Sequence, residues 1–122
     1  MALHFLDFDY SEAEDGVATW DAIASVPEAR LQELAQEAHS ILAWAWTEFG
    51  ALHGPHEEGG LWQYDLQCER LGQPLQELRY DGARGELVPA LQAGSDGRVT
   101  LTLSISGLPA FAEAFAAHFG LF

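Results

Sequence analysis

Between Arg98 and Ser106 the residues alternate without a break: Val99, Leu101, Leu103 and Ile105 are apolar, while Thr100, Thr102 and Ser104 carry hydroxyls. Successive side chains of a β-strand point to opposite faces, so such a stretch can bury one face and must leave the other wet. An antiparallel sheet with one dry and one solvated face meets that condition. The same period recurs at Trp62, Tyr64, Leu66 and Cys68 against Gln63, Asp65, Gln67 and Glu69. Further strands are expected at Leu75–Tyr80 and Glu86–Leu91, set off by the glycine-bearing turns 81–85 and 93–97.

At the other end, Leu3 to Tyr10 alternates with His4, Leu6, Phe8 and Tyr10 on one face and Asp7 and Asp9 on the other. A turn-type cluster at 11–16 follows, and Val17 to Ala24 returns with Trp20 inward and Thr19 and Asp21 outward. This pattern predicts a hairpin. Two segments carry the helical period instead. Ser25-Val26-Pro27-Glu28 has the spacing of a capping box, and Leu31, Leu34, Ala35, Ala38, Ile41, Leu42, Ala45 and Phe49 then recur at three and four. Gly50 is expected to end that helix in the left-handed conformation. A second helix is expected from Pro109, with Phe111, Phe115 and Phe119 on one stripe and Gly120 as its end. The order β-β-α-β-β-β-β-α predicts a single α+β domain over residues 1–122. It should form a two-layer sandwich, with a mainly antiparallel sheet of about five to six strands and two helices on its dry face.

The chain has 122 residues, nearly half of them apolar, which suffices for a self-standing core. Five Arg and no Lys face nineteen Asp and Glu, a net charge of -14, and residues 1–58 account for -11 of it. That field repels nucleic-acid phosphates and anionic membranes, so neither is expected as a partner. Cys68 is the single cysteine, which excludes an intramolecular disulfide and agrees with a reducing, cytoplasmic setting. The longest apolar run, Ile41 to Trp46, is too short to span a bilayer, and no targeting segment is expected at the N-terminal end.

If the alternation holds, Asp7, Asp9, Asp21, Asp65 and Glu77 project from the open face of the sheet with Arg79, beside Gln63, Gln67, Thr100 and Thr102. Such a surface suits a basic partner or a cation; its bland alternative is a solvated face that deters edge association. Asp7 and Asp9 on one strand face would stand about 7 Å apart, a separation that glycoside hydrolysis can use. His53, His56, Glu57 and Glu58 bring metal-ligating residue types into one loop, although Gly54 and Pro55 break any rigid helical spacing. Trp44 points away from the apolar stripe of its helix and so faces either a partner, a second copy of the chain, or a segment folded over it. No phosphate loop, catalytic triad or aromatic-basic stripe can be read, no catalytic residue is assigned and no cofactor is expected. The reading that follows is an acidic binding module, immunity- or inhibitor-like, that engages a basic protein. The alternatives are a small metal-dependent or carboxylate-based hydrolase and a homo-oligomeric structural protein.

Overall fold

A computed structural model describes residues 3–121, apart from the side chain of His56. Six strands form one antiparallel sheet: β1 (Asp9–Glu12), β2 (Ala18–Pro27), β3 (Trp62–Arg70), β4 (Gln76–Asp81), β5 (Glu86–Val88) and β6 (Arg98–Gly107). Their spatial order is β1-β2-β6-β3-β4-β5. Two helices, α1 (Leu31–Phe49) and α2 (Pro109–Phe119), cover one side of it. The α+β sandwich expected from the sequence is therefore the fold. No helix among the described residues is long and apolar enough to cross a membrane.

The long strand β6 sits between β2 and β3 and pairs with both along nearly its whole length. Its four apolar residues are completely buried, and Trp20, Ala22 and Val26 of β2 and Trp62, Leu66 and Cys68 of β3 lie on the same side. From above, α1 sets Leu31, Leu34, Ala38, Ile41, Leu42 and Ala45 onto this layer, and α2 adds Phe111, Phe115 and Phe119. Trp62 and Phe111 stack almost parallel with ring centres 5.3 Å apart, and Phe115 packs on Trp20 at 4.9 Å. Large side chains fully withdrawn from water each stabilise the fold by roughly 2–3 kcal/mol.

Four local expectations fail, each for a physical reason. Residues 3–8 do not form a strand, and β1 begins at Asp9. The amides of His4, Phe5 and Leu6 instead donate to the carboxylate of Glu37 on α1, at 2.9 Å for Phe5 and 2.7 Å for Leu6. Donors committed to a side chain cannot enter a ladder, and bonds to a charged acceptor outweigh neutral ones.

The capping box is not made either. Ser25 to Pro27 are the end of β2, Glu28–Arg30 form a 3-10 turn, and α1 starts at Leu31 without a side-chain cap. Glu28 is drawn away by stronger partners: Arg70 Nε and Nη2 donate to it at 2.8 and 3.1 Å, and the Gly94 amide at 2.8 Å.

Gly50 takes a right-handed conformation (φ -57°), and the chain runs on into a 3-10 turn at Gly50–Leu52; the left-handed end is found only at Gly120 (φ 67°). At Gly50 an added Cβ would stand 3.2 Å from the Trp46 ring, a tight contact. Finally, β5 stops at Val88 rather than Leu91, because Pro89 has no N–H to continue the ladder.

Candidate functional site

The face of the sheet opposite the helices is uncovered, and cross-strand register decides which of its side chains are neighbours. Asp9 stands opposite Asp21, Asp21 opposite Ser104, and Ser104 opposite Asp65. Three of the predicted acids therefore share one row across four strands. With adjacent strands about 4.8 Å apart, Asp21 and Asp65 are separated by roughly 10 Å at the backbone. The next row holds Ile23, Thr102, Gln67 and Glu77, and a third holds Ser25, Thr100 and Glu69. Gln63 falls in the row of Thr19 and Ser106. Asp7 is exposed in the segment before β1, so the strand spacing that would have set it beside Asp9 does not apply.

Within this polar face Ile23 is 67% exposed, an apolar side chain directly between Asp21 and Ser25 along β2. Continuing the alternation of β2 by one step identifies it in the sequence. Asp9 and Asp21, directly opposed like charges, repel each other across the strands.

Beyond the acid row the sheet parts. The β3–β4 ladder covers Leu66 with Leu78, Gln67 with Glu77 and Cys68 with Gln76, and there it ends. The amide of Tyr80 donates to the Tyr64 phenol oxygen at 2.7 Å, so a side chain occupies the split where a strand carbonyl would otherwise accept. A concavity of about 610 Å³ opens at this place, lined by His53, Tyr64, Asp65, Glu77, Leu78, Arg79, Val88 and Pro89. Its two rings, His53 and Tyr64, lie 5.5 Å apart and adjoin the buried Trp62, whose ring lies 4.8 Å from that of His53 and stacks on Tyr64 at 5.9 Å. Partial withdrawal from water among these rings lowers the His53 imidazole pKa from its ordinary value, although the residue as a whole is exposed.

Arg79 is exposed at the rim. Arg30, Arg70 and Arg84 are paired with Glu33, Glu28 and Glu86, and Arg98 donates to Ser25. Among the described residues Arg79 alone of the five has no such partner.

The remaining candidates are placed as follows. In the 53–58 loop the His53 ring is built into the aromatic array, Glu57 and Glu58 are exposed on a 3-10 turn, and the His56 side chain lies outside the described part. Among the described residues no three His, Cys, Asp or Glu side chains form a group that could hold a metal ion. Trp44 is covered by α2: it stacks on His118 at 5.0 Å and meets Phe111, Phe115 and Phe119 within 6.0 Å. A segment folded over the ring thus covers part of it, and Trp44 is half-buried. Cys68 is buried, and that burial raises its thiol pKa, with Arg70 opposing only in part. A thiol so placed is a packing residue rather than a nucleophile.

Asp9, Asp21 and Asp65 thus lie in a line across the open face, with only Asp65 and, from the next row, Glu77 reaching a concavity. A row of this kind can attract and orient a cationic surface, whereas general acid–base chemistry needs two groups converging on one point. Compared with protein-family models, with curated proteins and with solved structures, the chain matches none.

Proposed function

We propose that the protein is a binding module whose uncovered sheet face receives a basic protein. The observation that carries this reading is the register row Asp9–Asp21–Ser104–Asp65, adjoined by the exposed Ile23. The acids supply long-range attraction to a positive surface and raise the rate of encounter, and a bound guanidinium or ammonium relieves the repulsion between Asp9 and Asp21. Ile23 supplies the apolar anchor that a purely electrostatic contact lacks. A hydrolase reading finds less support, because the acids are strung across strands instead of gathered around a substrate.

The test is a titration of labelled protein with an arginine-rich peptide at low ionic strength, followed by amide chemical shifts. Shifts concentrated at residues 9, 21, 23, 65 and 104, and abolished in an Asp9→Asn/Asp21→Asn variant, support the reading. Shifts spread evenly over every acidic part of the molecule, or unaltered by that double substitution, overturn it. Binding should also weaken as salt shortens the screening length to about 10 Å near 0.1 M.

A further inference from the structure

The split between β3 and β4 has the features of a second site, of a different kind from the acid row. Its volume, about 610 Å³, falls in the range of small-molecule pockets. Its walls differ in character: Val88, Pro89 and Leu78 are apolar, Tyr64 and His53 present rings, and Asp65, Glu77 and Arg79 carry charge. The rings are fixed by their neighbours, since Tyr64 is held by the Tyr80 amide and His53 by contact with Trp46 and Trp62, so the floor is formed before a ligand arrives.

The charges restrict what can bind. Arg79 has no carboxylate partner among the described residues, although the chain carries nineteen acids. Its guanidinium is free to accept a carboxylate in a two-point contact. A simple anion is nevertheless repelled by a molecule of net charge -14. A simple cation would be drawn to Asp65 and Glu77 but would meet Arg79 at the same rim. A ligand with both charges and no net charge satisfies all three groups, and the apolar wall requires a hydrophobic part beside them.

We infer that the β3–β4 split binds a small zwitterion of the α-amino-acid type with an apolar or aromatic side chain. Arg79 receives its carboxylate, Asp65 and Glu77 its ammonium group, and the surface formed by Val88, Pro89 and Tyr64 its side chain. Asp65 retains capacity for this, because only Oδ2 is engaged, by Gln67 at 3.0 Å. The site shares Asp65 with the acid row, but its test turns on Arg79 and Glu77, whereas that of the basic-partner reading turns on Asp9 and Asp21 at the other end of the row, so either can fail without the other.

The experiment is an amide chemical-shift titration with L-phenylalanine and L-leucine, alongside phenethylamine, which lacks the carboxylate, and 3-phenylpropionate, which lacks the amine. The expected result is saturable shifts confined to residues 53, 64–65, 77–80 and 88 with at least one of the two amino acids. Each single-charge analogue should bind roughly tenfold more weakly, as should the amino acid to Arg79→Ala. Arg79 is exposed, so this variant keeps its fold, and Glu77→Gln gives a second reading at another exposed position. The inference is overturned if neither amino acid produces saturable shifts up to about 10 mM. It is equally overturned if the affinity survives Arg79→Ala unchanged, or if the analogues bind as well as the amino acid.

Discussion

Glu28 shows how far a single residue's role departs from its sequence neighbourhood. Its spacing from Ser25 suits a cap, yet it is 4% exposed and bound to Arg70 and Gly94, tying the end of β2 to β3 and to the loop before β6. The Arg70 hydrogen bonds, then the Gly94 amide, hold its carboxyl below the usual pKa, against the opposing effect of burial. A depressed carboxyl pKa contributes stability that is full above the unfolded value, near 4.3, and is lost as pH falls through the folded one. Glu28→Gln should therefore lower the unfolding free energy by about 2 kcal/mol at pH 7, with the gap from wild type narrowing below roughly pH 4. Urea unfolding at a series of pH values measures it, and a pH-independent gap would refute the role of the charge. Glu37 makes the same point without a pH argument: nothing in its helical spacing reveals that it gathers the amides of residues 4–6. Ile23 and Arg79 are the reverse case, since alternation alone puts both on the open face.

Among the elements, those with a strong period were legible to within a few residues. β3 and β6 alternate cleanly because each is buried on one side only, and α1 and α2 carry their stripes for the same reason. The short edge strands were less so. β1 has only four residues, all exposed, and the apolar alternation preceding it belongs to a segment held by Glu37. The packing of α2 on α1 was the unread relation that mattered most, because it decides how much of Trp44 faces solvent. With Trp44 against Phe49, Phe111, Phe115 and Phe119, its removal uncovers the joint between the helices. Trp44→Ala should cost about 2–3 kcal/mol of stability and leave the sedimentation behaviour unchanged. Unchanged stability with an altered association state would instead assign Trp44 to a subunit contact.

For the whole molecule, the governing quantity is net charge. At -14 on 122 residues the folded chain repels itself, and most of that charge lies before residue 59. Salt should therefore stabilise it: raising NaCl from about 20 mM to about 300 mM should lift the thermal midpoint by roughly 3–6 °C. A flat or falling midpoint would mean that local pairs such as Glu28–Arg70 outweigh the general repulsion. Acidification toward the pI of about 4.4 should remove the repulsion but promote association, visible as scattering. The sequence by itself determined the two-layer α+β class, the faces of the long strands, the buried stripes of both helices and the acidity of the open side. These follow from periodicity and charge, which are local or additive. Strand order, the alignment of Asp9, Asp21 and Asp65 in one row, the parting of β3 from β4 and the cover over Trp44 were decided only by the tertiary structure. Each depends on which distant segments meet, and no local period encodes that choice.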